Sequence, residues 1–427
     1  MKVEDSIYIF NGYKFLDFIE IDKVKEDILS EFEVPEDTQK LNFPQYYSEL
    51  LKKFPDKTKT TGKIFFENIL YSHLKNIFVE KISGHPDLSI EFFKQRVRSL
   101  IEEVNFRDSI PVNFRNQMTE DGFYLMDVLD ITVPNSSFIA GFDYTENSGK
   151  VTNARFLFVE VVPKRTNGTA YFIAGIEFDF INKLATTMMK NVTEIKKETS
   201  DTDTTIHQLH KKAITKVFNT LGVSLQKPVV KDDRTAMFQF CKQLDDKLLK
   251  NVRGDLYASV DTVVKSSVKN LNNALFSRTE SLTNTDKDDL SKKIKALLLA
   301  YYIEYKVKPT ELVREAKKNK LVGYPTRINF TSNKSGRSST QSSNSKNPVS
   351  ASDMFHSLYF NFEQALGLDS WSISWFTDYT FSEEKDIDVI QTTIYSTSKQ
   401  FRVVFLATRP LNKEIIHYVI GTINSYR

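Results

Sequence analysis

FIAGFDYTENSGKVTNARFLFVEVVPKRTNGTAYFIAGIEF, running from Phe138 to Phe178, is the stretch on which the fold turns. Three apolar runs, Phe138–Tyr144, Ala154–Val162 and Ala170–Phe178, are rich in aromatic and β-branched side chains, which suit a pleated, half-buried surface. Asn147-Ser148-Gly149 and Asn167-Gly168 separate them, and these residues tolerate the left-handed backbone of tight turns. A fourth run, Phe123–Thr132, precedes them across Pro134-Asn135. Connections this short join antiparallel neighbours, because a parallel pair needs a crossover of a dozen residues or more. The sheet is expected to be an antiparallel meander.

Upstream, Ser6–Phe10 and Tyr13–Ile19 flank Asn11-Gly12 and read as a β-hairpin. Helical patterns follow at Lys23–Phe32, Pro44–Phe54, Gly62–Ile82 and Asp87–Val104, with apolar residues recurring three and four apart. Downstream, a helix is expected over Asn182–Lys196. Thr205 to Tyr305 reads as wholly helical, in pieces Thr205–Leu221, Asp233–Val252, Leu256–Phe276 and Asp286–Tyr305 broken at Gly222, Pro228, Gly254 and Ser277–Thr285.

Between Thr331 and Asn347 the chain reads TSNKSGRSSTQSSNSKN, with seven serines, three cations, no acid and no apolar side chain. Little burial offsets the entropy of ordering it, so a mobile linker is expected. Beyond it come a helix at Ser352–Leu366, strands near Ser370–Phe376, Asp388–Ser396 and Gln400–Ala407, and a helix from Pro410 to Ser425. The run strand, turn, long strand, turn, strand, helix occurs twice, once with Asp143-Tyr144-Thr145 and once with Asp378-Tyr379-Thr380 leading into the first turn. Together these readings give an α+β protein: a mixed N-terminal region with an antiparallel sheet (1–200), a helical middle (201–320), a Ser-rich basic linker (321–350) and a small C-terminal ββα-type unit (351–427).

Composition excludes several classes. The chain is 40% hydrophobic and 26% charged, which is ordinary for a globular protein and not for a disordered one. A single cysteine, Cys241, leaves no internal disulfide framework and points to a reducing compartment. The start MKVEDSIYIF lacks the pattern of a signal peptide, and no run approaches the ~20 apolar residues that span a bilayer. A cytoplasmic protein without membrane insertion is the expectation. Phosphate-loop, dinucleotide-binding, serine-hydrolase-elbow and C-x-x-C patterns are absent from the sequence, so no cofactor is expected.

The clearest charge signal lies between Lys287 and Lys346, with 14 Lys or Arg against five Asp or Glu, on a chain whose net charge is only +3. Lys292, Lys293, Lys295, Lys306, Lys308, Arg314, Lys317, Lys318, Lys320 and Arg327 alternate there with Tyr301, Tyr302, Tyr305 and Tyr324. Cations bind phosphates by releasing counterions, and aromatic faces stack on unpaired bases, so DNA or RNA is the expected partner. His207 and His210 form an H-x-x-H pair preceded by Asp201 and Asp203. Two histidines fall short of the three or four ligands zinc takes, and a solvent-facing pair on a polar helix is expected. Asp143, Glu160 and Lys164 lie on or beside neighbouring strands. They superficially resemble the carboxylate-pair-plus-lysine arrangement with which restriction-type nucleases hold Mg²⁺, but Glu160 and Lys164 are four apart across Pro163.

The expected function is therefore non-catalytic: a nucleic-acid-interacting protein, an accessory or sensor of a bacterial antiviral-defence or mobile-element system. That setting rests on the absence of household motifs from the sequence and on its Lys-, Asn- and Phe-rich composition. The alternatives are a scaffold that binds a protein partner or a second copy of itself, and a Mg²⁺-dependent nuclease using the sheet carboxylates.

Overall fold

A computed structural model describes residues 8–104, 110, 112–191, 205–276, 281–332, 336–344, 346–365 and 367–427. The fold is α+β, and the chain divides into two compact units. One comprises Met1–Lys227 with Thr408–Ile416, the other Pro228–Ala407 with His417–Arg427. The boundary thus falls close to Lys227, and the helices after Pro228 share a unit with the C-terminal strands.

The first unit holds helices α1 (Ile21–Glu31), α2 (Glu36–Gln39), α3 (Phe43–Lys53), α4 (Thr58–Ser72), α5 (Ile90–Val104), α6 (Val112–Arg115), α7 (Ile206–Ala213) and α8 (Asn219–Leu221). Its strands are β1 (Asn76–Gly84), β2 (Phe123–Tyr124), β3 (Ser137–Asn147), β4 (Lys150–Pro163), β5 (Thr169–Asp179), β6 (Leu184–Met189) and the short β7 (Ser224–Leu225). They lie in the order β2-β3-β4-β5-β6-β1, with β7 paired to β1 and every pairing antiparallel. Both faces are covered. A Cβ on Gly141 or Gly175 would meet Phe66 or Leu70, so α4 lies against that face. Neighbouring residues point the other way: Phe142 meets Phe93 of α5, and Phe178 meets Phe218 beyond α7 with ring centroids 4.7 Å apart.

The second unit contains α9 (Val230–Leu248), α10 (Lys250–Leu275), α11 (Asn284–Lys306), α12 (Pro309–Lys318) and α13 (Asp353–Glu363). It also holds strands β8 (Gly323–Ser332), β9 (Gly336–Gln341), β10 (Leu368–Phe376), β11 (Val389–Thr397) and β12 (Gln400–Phe405), in the antiparallel order β12-β11-β10-β8-β9. Helix α14 (Lys413–Tyr426) closes the chain. Trp371, Ile373 and Trp375 are fully buried in this unit, and Trp375 packs on Phe240 of α9.

Strands β3, β4 and β5 stand where the turn residues place them, but of the run Phe123–Thr132 only Phe123–Tyr124 is strand, because Leu125 to Leu129 turn back on themselves. Five other expectations are also corrected. No hairpin forms around Asn11-Gly12; a 3₁₀ turn spans Gly12–Phe18, while Ser6 and Ile7 lie outside the described residues. Asn11 keeps ordinary right-handed φ/ψ, and its N–H donates to Asp127 O. The glycine is needed for a close approach, since a Cβ there would stand 2.4 Å from Met126 O. Burial of Phe10, Phe15 and Phe18 against α3, α4 and β5 outweighs strand pairing.

The long helix expected over Gly62–Ile82 stops at Ser72, and Asn76–Gly84 is a strand. Likewise Leu184–Met189, expected to be helical, is β6, paired on both sides, with 192–196 outside the described residues. Continuous apolar runs such as Ile77-Phe78-Val79 satisfy both periodicities, and a buried ladder decides for the strand. With β6 in that place, the first of the two repeats ends in a strand and not a helix.

The Ser-rich stretch is not a free linker where it is described: β8 and β9 pair as a hairpin, with Asn329 opposite Ser339 and Ile328 opposite Thr340. Tyr324, Ile328 and Phe330 are fully buried. The backbone ladder and cross-strand hydroxyl bonds, Ser339 Oγ to Asn329 among them, do what apolar side chains could not.

Candidate nucleic-acid interface

Thr283 and Asp286 start α11 with a reciprocal capping box, so the acid just before the basic stretch serves as a helix cap. Three cations in the first half of α11 are then spent within the protein. Lys292 pairs with Asp289 at 3.7 Å, Lys295 pairs with Asp261 of α10 at 2.5 Å, and the Lys293 ammonium sits 4.4 Å from the centre of the Phe360 ring.

The second half differs. Ala296, Leu299, Ala300 and Ile303 are buried, whereas Leu297, Leu298, Tyr301, Tyr302 and Tyr305 face outward. Tyr301 and Tyr305 are each 63% exposed and one helical turn apart, with ring centroids at 4.4 Å. Pro309 then begins α12, with Glu311 accepting from the Lys308 N–H. Lys306, Lys308, Arg314, Lys318, Lys320 and Arg327 are exposed and have no acidic partner among the described residues.

Lys317 leaves the set. It is 2% exposed, and its ammonium donates to Asp378 Oδ2 at 2.8 Å and Asp378 O at 3.0 Å between the rings of Phe376 and Phe381. The lysine, with help from the Ser382 and Glu383 backbone N–H groups, holds the Asp378 carboxyl well below the ordinary carboxylate range. Tyr324 also drops out as a stacking face, because it is fully buried with its hydroxyl donating to Lys346 O.

The carboxylates proposed for nuclease chemistry are kept apart. Asp143 lies opposite Arg155, which takes its two oxygens at 2.8 and 2.5 Å and reaches Glu67 of α4 at 2.7 Å; Tyr124 Oη donates to the same aspartate. Arg155 and Glu160 stand five apart on an unbroken register with β5, so they project to opposite faces. Glu160 is buried on the α7 side and pairs with Lys212 at 2.6 Å. Lys164 lies past the end of β4, where its N–H donates to Gly168 O. No single cation could be held by this set. The two Asp-Tyr-Thr tripeptides also serve different ends, since Asp143 pairs with an arginine across a ladder and Asp378 with a lysine from a helix.

The H-x-x-H pair is not solvent-facing as a whole. His210 is buried, stacked on Phe78 at 4.0 Å, with Nε2 3.1 Å from Glu80 Oε1. Asp201 and Asp203 lie outside the described residues. What the sequence reading missed is the outward position of Leu297 and Leu298; the signal was there, because α11 carries more apolar residues than one helical face can bury. No helix among the described residues is long and apolar enough to cross a membrane. Comparison of the chain with protein-family models, with curated proteins and with solved structures finds no match.

Proposed function

We propose that the chain binds single-stranded nucleic acid through the second half of α11, through α12 and through the adjoining strand residue Arg327. One observation carries the reading: three tyrosines stand exposed beside cations without internal acidic partners. Base–aromatic stacking contributes about 1–3 kcal/mol per base and tolerates any sequence. Each phosphate contact on a single strand adds about −0.7 to the slope of log affinity against log salt. If four of the six free cations engage, the slope is about −3. On the same sequence grounds as before, the proposal extends to a non-catalytic accessory or sensor role in a bacterial defence or mobile-element system.

The test is a fluorescence-anisotropy titration of labelled oligo-dT and oligo-U, against a duplex of equal length, across a salt series. Tyr301→Ala with Tyr305→Ala weakens single-strand binding while preserving the salt slope, and Lys306→Glu with Lys308→Glu flattens the slope. Absence of binding at low salt, or variants that bind like the parent, overturns the proposal. A second reading has its own observation: Leu297 and Leu298 on α11 and Val263, Leu271 and Leu275 on α10 are also exposed, which suits a protein partner or a second copy. Sedimentation velocity of the parent chain and of Leu297→Ser decides that reading.

A further inference from the structure

A cavity of about 440 Å³ opens in the first unit among Lys14, Lys164, Lys190, Asp17, Tyr13 and Tyr171. Three lysines at one small cavity repel one another unless something neutralises them, so their partners decide what it can hold. Lys14 is neutralised by Asp130 and lies over the Tyr171 ring. Lys190 donates at 2.6 Å to a backbone oxygen, that of Asp17, and lies over the Phe18 ring. Lys164 is partly buried, and its ammonium has neither a hydrogen bond nor an ion pair among the described residues. The Asp17 carboxylate forms no ion pair with either.

Just beyond, Lys75 and His73 feel the field of Lys190. Burial first, and that neighbouring charge second, lowers the proton affinity of both, against the opposing pull of Glu20, 4.0 Å from His73, and of the Ile19 backbone. Two ammonium groups without carboxylate partners, facing one cavity, match the charge of about −1.5 to −2 on a phosphate monoester better than the single charge of a carboxylate. The volume lies in the range of small-molecule sites and is too small for a folded partner. Of the aromatic rings at the rim, those of Phe18 and Tyr171 already carry lysines. Tyr13 meets Phe10 at right angles with centroids 5.5 Å apart, carries no lysine and is 59% exposed, so part of its ring is open to a flat ring.

We propose that this cavity binds a phosphate monoester borne on a nucleoside, with Lys164 and Lys190 holding the phosphate and Tyr13 flanking the base. The assignment is independent of the surface in the second unit. Calorimetric titration of the full chain with adenosine 5′-monophosphate, adenosine and inorganic phosphate tests it. Adenosine monophosphate binds more tightly than either fragment. Lys164→Gln lowers its affinity at least about tenfold, the loss expected with one charge-assisted bond, while Lys164→Arg retains it. A 5′-phosphorylated oligonucleotide compared with its 5′-hydroxyl form shows whether the monoester comes from a free nucleotide or a strand end, and phosphate-dependent binding of either supports the site. Lack of binding by the parent chain at millimolar adenosine monophosphate, or a Lys164→Gln protein with an unchanged melting curve that binds like the parent, overturns the proposal.

Discussion

Replacing Arg155 with methionine isolates what holds the α4 face of the first sheet together. The arginine side chain is 10% exposed, ties Asp143 and Glu67 at once, and stacks its guanidinium 5.5 Å from the Phe66 ring centre. Methionine fills much of the volume but leaves two carboxylates facing apolar surroundings, with Glu177 directly opposite on β5. Removing one partner of a buried ion pair costs about 3–5 kcal/mol, and Glu67, a third exposed, recovers some hydration, so the lower end applies. Loss of the cation–π contact adds about 1 kcal/mol, giving a total of about 4 kcal/mol.

Because the chain has two units, global denaturation does not report on one site, and local opening measured by hydrogen exchange of β3 to β5 peptides is the suitable assay. Asp143→Asn alone and the double variant complete a cycle; contacting residues of one network show coupling of about 0.5–3 kcal/mol. A loss below about 1 kcal/mol in Arg155→Met with no coupling would refute the reasoning, since values that small belong to solvent-exposed pairs. Asp143 would then be free for other chemistry.

Three further outcomes follow from the packing. Burial, aided by the Arg253 charge, lowers the His356 pKa from 6.5 to about 4 against the opposing bond to Ser350 O. The unfolded chain takes up this proton near pH 6.5 and the folded one only near 4, so the contribution is complete above pH 6.5. It is lost as the pH falls toward 4, by about 3 kcal/mol. Asp245, raised to about 6 by burial, acts in the opposite sense, so the measurement is the difference in hydrogen-exchange protection of α13 peptides between the parent chain and His356→Gln from pH 7 to 4. Gly323→Ala places a Cβ 2.0 Å from Ser374 O, forces β8 off β10, and costs about 1–3 kcal/mol by overpacking, read as loss of exchange protection in both strands. Lys317→Gln lowers the melting temperature by removing the Asp378 partner while leaving the salt slope of oligonucleotide binding unchanged; a flattened slope would return this lysine to the interface.

What could be read along the chain depended on how local the deciding interaction is. The strands β3 to β5 are flagged by turn residues that need left-handed backbone, and Ser148 at φ +53° and Gly149 at +76° occupy it. By contrast β6 is Leu-Ala-Thr-Thr-Met-Met, whose buried residues suit either a helix or a strand, and only its two partner strands select one. The polarity of Thr331–Asn347 predicts too little burial to fold, yet an edge strand such as β9 needs one modestly covered face and a ladder. Composition measures side-chain burial and is silent on backbone pairing.

The candidate interface depends still more on tertiary structure, because adjacent lysines meet opposite fates. Lys317 is sealed against Asp378, 61 residues away, whereas Lys318 beside it is exposed. Lys292 and Lys295 serve acids of their own helical region. The fold thus subtracts charge from the first half of α11 and leaves the tyrosine-bearing second half with fewer, freer cations than the sequence count implies. Such a surface draws more of its affinity from stacking than a plain basic patch does, and duplex bases have no face to offer it. On this reasoning single strands bind more tightly than a duplex of equal length, and their advantage grows as salt rises, because screening weakens the phosphate contribution and spares the stacked rings.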